Sequence, residues 1–406
     1  MDEHNRQLEE LGAQRVATYK AEDFDRMIQE CQPDACFITS VDATHDYYIC
    51  RCLELGVEAI TEKPMTISAE KCRKIFECIE KTNGRVRVTL NYRFVNWMTK
   101  VKELLASETI GDVKSVNVEY LLDTCHGADY FRRWHSDMSQ SGGLLVHKST
   151  HHFDLVNWWL DAVPEEVFAY GHLAFYGKQN ALARGDEGRV RYPRYTGQPE
   201  AANDPFGLDL TERSDLRKIY YEAEEETGYL RDRNVFRDGI DIYDTMSLVV
   251  RYRTGALLNY SLNAFSPREG MRVTFNGDRG RIEFYEFGGS HIIRGQSEKE
   301  LAEEQNVPGG EHKIVVYPHF KEPYQVHPAP PGEEGGHWGS DPLLAEQIFM
   351  KHPPKEIWNR NAGHEQAAAS ILIGIAANQS ILSGTPVKIL DLVSLAPKAK
   401  KLSELR

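Results

Sequence analysis

Along the first ninety-four residues, short apolar runs alternate with stretches whose apolar positions recur every three to four residues. Residues 35–39, 57–61 and 86–90 read as strands. The first of them, Ala35-Cys36-Phe37-Ile38-Thr39, is continuously apolar, as in a strand buried on both faces. Residues 16–19 read as a further short strand. Helices are expected over 1–11, over 21–31 with Phe24, Met27 and Ile28 on one face, and over 45–55. Another runs from an N-cap at Ser68 to a stop at Asn83-Gly84. Strands alternating with helices at this spacing imply right-handed crossovers and a parallel sheet. After a helix over 96–107 the period becomes two, over 115–121, 167–176, 246–252, 256–262, 271–275 and 281–285. One polar face per strand argues for an open, mostly antiparallel sheet covered on one side. Helices over 343–350 and 362–383 would cover it, the second rich in alanine (Ala367, Ala368, Ala369) and apolar. The chain therefore divides into an α/β unit, 1–94, and an α+β unit, 95–406. A charged stretch near 177–237 and a Pro- and Gly-rich stretch near 298–336 read as surface insertions.

Composition narrows the partners. The net charge is -13, and an acidic surface repels phosphate backbones, so nucleic acid is not an expected ligand. No apolar run approaches the roughly 20 residues that span a bilayer. Met1-Asp2-Glu3-His4 has neither a basic nor an apolar leader region, so a cytoplasmic protein is expected. The seven cysteines all lie in the first third of the chain. Most sit among apolar residues, which suits free thiols in a reducing compartment.

Three strand ends are unusually polar: Thr39-Ser40-Val41-Asp42-Ala43-Thr44-His45, Thr61-Glu62-Lys63-Pro64 and Asn91-Tyr92-Arg93-Phe94. Parallel topology brings them to one edge, where ligands bind in such sheets. The densest segment is Ser141-Gly142-Gly143 followed by a helical pattern carrying His147, His151 and Asp154. Their offsets of zero, four and seven place them on one helix face beside Leu155 and Trp158. Two histidines and an aspartate facing inward are costly unless they satisfy one another or a ligand. His152 points elsewhere. A zinc site of His147 and His151 with Asp154 or His337 is an alternative, although the Glu of H-E-x-x-H is absent. Tyr130, Arg132, Arg133, Trp134 and His135 form either a sugar-binding loop or a packed one.

Glu62-Lys63-Pro64 resembles the E-K-P segment of the Gfo/Idh/MocA oxidoreductases, and Phe37-Ile38-Thr39 with His45 resembles the preceding strand end of that family. The segment 141–154 resembles the family's G-G-G-x-x-x-D-x-G-x-H-x-x-D. Ser141 stands for the first Gly, His147 for the first Asp and Ser149 for the later Gly, while His151 and Asp154 match. The resemblance implies a Rossmann-like first domain, NAD or NADP as cofactor, and a sugar, glycoside or cyclitol as substrate. It implies His151 as the base, Lys63 as hydrogen-bond donor to the same oxygen, and His147 and Asp154 as positioning groups. Thr39, Ser40, His45, Glu62, Lys63 and Asn91 would face the cofactor. Tyr92, Arg93, Tyr130, Arg133, Trp134 and His147 would face the substrate. The family's exposed sheet face implies a homodimer or homotetramer. A G-x-G-x-x-G loop is not found before Val16, and by resemblance the first strand, phosphate loop, first helix and second strand would precede Met1. Three functions are then open: an NAD(P)-dependent dehydrogenase, a redox-neutral relative that oxidises transiently and then eliminates or epimerises, or a binding protein that lost its cofactor.

Overall fold

Three apolar runs pair in parallel as β1 (Ala35–Ile38), β2 (Glu58–Thr61) and β3 (Val86–Val88), with Ala35 opposite Glu58 and Ala59 opposite Val86. This is a computed structural model, and it describes residues 2–290, 311–328 and 336–405. Helices His45–Glu54 and Ala69–Thr82 make the crossovers. Ser68 caps the second, its Oγ accepting from Lys71 N at 3.3 Å, which satisfies one of the otherwise orphaned first-turn donors. Ile49, Cys52, Cys72 and Ile75 pack these helices onto the sheet. All seven cysteines are free, with Cys31 and Cys125 exposed. The expected strand at 16–19 does not form. Asn5, on the helix Asp2–Glu10, takes both polar groups of Val16, its Oδ1 accepting at 2.9 Å and its Nδ2 donating at 3.1 Å. A side chain thus replaces the sheet neighbour.

The second sheet has nine strands. They are β4 (Val113–Asp123), β5 (Pro164–His172), β6 (Thr245–Tyr252), β7 (Leu257–Ser266), β8 (Arg268–Gly277), β9 (Gly280–Ser290), β10 (Glu311–Pro318), β11 (Tyr324–Val326) and, beyond β12 (Ala362–Gly363), β13 (Val387–Lys388). Their order is β11-β10-β9-β8-β4-β7-β6-β5-β13, antiparallel except for β4 with β7. The period of two is plain in β6, where Met246, Leu248, Val250 and Tyr252 are buried and Ser247, Val249 and Arg251 are not. Helices Thr150–Leu160 and His364–Ser383 cover the inner face. The helix His364–Ser383 comes so close to the chain at Leu145 that a Cβ on Gly374 would lie 2.1 Å from Leu145 O. β12 leaves this unit and pairs antiparallel with β3, so residues beyond 94 complete the first sheet.

The insertions are not both surface loops. Within 298–336, β10 and β11 extend the sheet, and residues 298–310 and 329–335 lie outside the described residues. The charged stretch 177–237 has a small core of Tyr192, Tyr195, Phe206, Val235 and Phe236. It grips the helix His126–Arg132 and the turn after it, ahead of the 141–154 segment: Arg231 binds Asp129 through both oxygens (2.6 and 3.0 Å), and Arg237 donates to Phe131 O and Ser136 Oγ, each at 2.5 Å.

One buried pair joins the two units. Arg93, at the end of β3, is fully buried, as is Asp154. Its Nε and Nη2 donate to the two Asp154 oxygens at 2.7 and 2.6 Å. Its Nη1 donates to Gln366 Oε1 at 2.8 Å and Asn359 O at 3.0 Å. Ser370 Oγ donates to Asp154 Oδ1 at 3.0 Å. Removing one partner strands a buried charge. Arg93→Met is therefore expected to cost about 3–5 kcal/mol, and the double variant Arg93→Met/Asp154→Leu distinctly less. Urea unfolding of the three proteins checks this; equal losses would deny the coupling.

Candidate active site

The carboxyl ends of β1, β2 and β3 form one polar edge. After β1, Thr39 and Ser40 are exposed, and Thr44 Oγ1 lies 2.7 Å from both Ser40 Oγ and Val41 O. After β2, Glu62 is exposed and fixed by Thr89 Oγ1, which donates to its Oε1 at 2.8 Å. After β3, Asn91 Nδ2 donates to Asp341 Oδ1 at 3.1 Å, and its Oδ1 is buried with no hydrogen-bond partner. His45 was expected on the cofactor; here its Nδ1 lies 2.8 Å from Pro64 O and its Nε2 3.0 Å from Ser40 O, so both ring nitrogens face backbone carbonyls.

His147, His151 and Asp154 do not share a helix face as their spacing predicts. Gly142 and Gly143 turn the chain at φ 69° and 73°, the helix Leu144–His147 is one turn long, and a new helix begins at Thr150. A Cβ on Gly142 would approach the Val146 side chain to 2.9 Å as well as straining a left-handed backbone. The break at Lys148-Ser149 sends the three side chains to three partners. His147 reaches across the cleft, with Nδ1 2.5 Å from Asp42 Oδ2 and Nε2 3.4 Å from Lys63 Nζ. Lys63 Nζ also donates to His147 O at 3.3 Å. His151 stacks on Tyr92, ring centroids 4.3 Å apart, and its Nδ1 is buried without a partner. Asp154 turns away into Arg93. Asp154 and Arg93 were expected at the reacting centre, but here each commits its polar groups to the other and to Asn359, Gln366 and Ser370. With its oxygens committed to Arg93 and Ser370, Asp154 is also unable to complete a metal set with His147 and His151. The His337 side chain lies outside the described residues.

Tyr130, Trp134 and His135 wall His147. The Tyr130 and Trp134 rings meet it edge-on at 5.6 and 5.8 Å, and His135, stacked on Trp134 at 3.7 Å, meets it at 4.3 Å. Tyr130 is itself anchored, its hydroxyl 3.0 Å from His126 Nε2, while His126 Nδ1 lies 2.7 Å from Glu269 Oε1. Arg133 is half-buried, its Nη1 3.5 Å from Asp129 and its Nε without a hydrogen-bond partner.

Burial sets the protonation of the edge. It holds His147 and His151 well below the usual imidazole range, reinforced in both by the charge of Lys63. Burial also lowers Lys63, against the pull of Asp42 and Glu62. Asp42 is pushed by burial up to about 7. Sequence reasoning assigned no role to Asp42, Lys148 or Glu286. Lys148 is buried, pushed down to about 8, with Nζ 5.3 and 5.7 Å from the ring centroids of Tyr120 and Tyr92. Glu286 is buried and pushed up to about 7. Its signal was available, because Ile282, Phe284 and Glu286 share the inward register of β9. Asp42 lay within the first polar strand end.

These elements define an oxidoreductase with an NAD-binding Rossmann-type first unit. Residues 1–90 match the family described as oxidoreductase family, NAD-binding Rossmann fold, and residues 102–389 match its C-terminal alpha/beta domain. The chain belongs to the Gfo/Idh/MocA oxidoreductase family. It is 36% identical over 395 residues to YteT of Bacillus subtilis (strain 168), an oxidoreductase by name, covering 94% of this chain and 87% of that one. It is 26% identical over 163 residues to a myo-inositol 2-dehydrogenase of Thermotoga maritima, covering 40% of this chain and 46% of that one. Among solved structures it resembles the aldose-aldose oxidoreductase of Caulobacter crescentus, with TM-score 0.59 and 14% identity over 95% of this chain and 88% of that one. The WlbA dehydrogenase of Chromobacterium violaceum, solved with NADH and UDP-GlcNAcA, gives TM-score 0.56 and 16% identity over 94% and 84%. No helix among the described residues is long and apolar enough to cross a membrane.

The Lys63 charge depresses His151, so removing it must act in the opposite direction. Lys63→Met is expected to raise the His151 pKa while leaving it below an exposed imidazole, since burial remains the larger cause. Histidine NMR titration reads this; an unmoved or lowered His151 would separate the two residues.

Proposed function

We propose that this protein oxidises a secondary hydroxyl of a sugar, glycoside or cyclitol with NAD or NADP as acceptor. The observation that carries the reading is the meeting of Lys63, His147 and His151 at the strand edge where Thr39, Ser40, Glu62 and Asn91 are presented. The orphaned Asn91 Oδ1 is an acceptor that a ligand's amide or hydroxyl donors suit. Thr39, Ser40, Glu62 and Asn91 would hold the cofactor, whose nicotinamide supplies the hydride acceptor when bound. His151, kept unprotonated by burial, is the base that takes the hydroxyl proton. Lys63 donates a hydrogen bond to the same oxygen and stabilises the negative charge that develops there. Tyr92 fixes the His151 ring, and Tyr130, Arg133 and Trp134 wall the substrate side. The inositol dehydrogenase among the relatives supports a polyol substrate.

The outer face of the nine-stranded sheet supports a homodimer or homotetramer. Tyr170, Val249 and Leu257 are 68%, 42% and 44% exposed there, beside a shallow hollow of about 580 Å³ that includes Phe168 and Tyr170. A second copy of the chain would cover these apolar side chains.

Two measurements test these readings. Purified protein supplied with NAD or NADP and a panel of cyclitols, aldoses and glycosides is expected to accumulate reduced cofactor with at least one of them. Lys63→Ala and His151→Ala are each expected to lose on the order of 10²–10⁴-fold in kcat; a fully active Lys63→Ala overturns the assignment. Sedimentation is expected to show a dimer or tetramer that Tyr170→Asp dissociates, and a monomeric native protein would refute the sheet-face association.

A further inference from the structure

His147 stands between a buried carboxylate, Asp42, and Lys63. The geometry points to Asp42 as a positioning residue that acts through His147 to keep Lys63 a hydrogen-bond donor toward the substrate oxygen. This rests on the role given above to Lys63.

The argument is one of proton counting. Asp42 Oδ2 lies 2.5 Å from His147 Nδ1, and both groups are buried. An ionised carboxylate only accepts, so Nδ1 carries the hydrogen and the neutral ring presents a bare Nε2. Lys63 Nζ is 3.4 Å from that Nε2 and 3.3 Å from His147 O. An ammonium has three N–H donors. Two are directed by His147, and the third is left for the substrate oxygen. The opposite tautomer would set Nε2–H against Lys63 N–H, which removes the acceptor and turns the contact repulsive. The carboxylate therefore decides the tautomer, and the tautomer decides whether the lysine is held.

The contact also crosses the cleft. Asp42 opens the turn Asp42–Thr44 after β1, and His147 ends the helix Leu144–His147 of the other unit. The charged and titratable groups bearing on Asp42 are Lys63, His45 and Arg133, which favour its ionised form, while burial opposes it at about 7. Those bearing on His147 are Lys63, Arg133, Lys148 and His45, and the His135 ring packs against it. Above the Asp42 transition the lock is closed. Below it the protonated carboxyl donates to Nδ1, the ring reverses, and Lys63 loses its acceptor.

Nitrogen-15 histidine NMR on the full chain tests this without any substrate, with the His147 signals assigned from a His147→Gln sample. Above the Asp42 transition the native protein is expected to show His147 protonated at Nδ1 and bare at Nε2. Asp42→Asn keeps the shape but offers either an oxygen or an NH2 to Nδ1, so the fixed Nδ1–H form is expected to relax toward a mixture of both tautomers with the folded spectrum otherwise retained. With whichever polyol the native enzyme turns over, kcat is expected to fall on the order of 10–100-fold with KM for the cofactor little changed. The kcat profile is expected to lose its acid limb near 7 in Asp42→Asn and to regain activity in part in Asp42→Glu. An unchanged tautomer population in Asp42→Asn, or a bare Nδ1 in the native protein, overturns the assignment. An inactive native enzyme with the tautomer shift intact would instead refute the proposed function and leave the Asp42–His147 lock standing.

Discussion

The architecture turns on the buried pair of Arg93 and Asp154. A guanidinium at zero exposure is tolerable only when its donors are met, and here the acceptors come from two distant parts of the chain, Asp154 and the stretch holding Asn359 and Gln366. Such a pair contributes little net stability against its desolvation cost. What it specifies is registry, because no other seating of the end of β3 against the helices Thr150–Leu160 and His364–Ser383 satisfies all four bonds. Chemistry hangs on that registry by adjacency. Tyr92 precedes Arg93, and His151 lies one helical turn before Asp154, so the clamp that joins Arg93 to Asp154 also brings the Tyr92 ring onto the His151 ring.

That stacking holds an imidazole where water cannot help it carry charge. Burial and two nearby cations, Lys63 and Lys148, all favour the neutral ring. The same residues that make the cleft expensive to fold thus hold this imidazole in its neutral form. Carboxylates balance the cations at a distance: Asp42 and Glu62 act on Lys63, and Glu269 and Glu286 act on Lys148. None of these carboxylates lies within a salt-bridge contact of either lysine, so the ammonium groups are tuned without being neutralised in place.

Much of the fold was legible because it follows from periodicity. The continuous apolar run of β1, the alternation in β6 and the alanine-rich helix His364–Ser383 each say what they pack against. The polar edge was legible as well, since parallel topology forces Thr39, Lys63 and Asn91 together. What misled was local. Residues 16–19 have strand composition, but Asn5 captures the backbone of Val16 before any sheet can. The charge of 177–237 conceals a core of five residues spread over forty-five positions, too sparse to set a period. The spacing of His147, His151 and Asp154 reads as one helix face only if the helix is unbroken, and the turn at Lys148-Ser149 cannot be seen in a pattern where every neighbour is helix-compatible. Long-range pairings such as Arg93 with Asp154 leave no trace in spacing at all.

The broken helix also explains how His147 comes to face Asp42. On one continuous helix His147 would point with His151. Ending the first turn at His147 rotates its ring outward to the opposite wall, where the turn after β1 presents Asp42. The imidazole then spans the gap between a carboxylate on one unit and Lys63 on the strand beside it, so the negative charge is moved back by one ring. A carboxylate placed directly against Lys63 would screen it and consume an N–H in a charge-assisted bond. A carboxylate acting through a neutral ring aligns the lysine at lower electrostatic cost to its charge. The lysine of the first unit is thereby contacted by a residue of the second, so the relative seating of the two units, which Arg93 joins, enters the Lys63–His147 geometry.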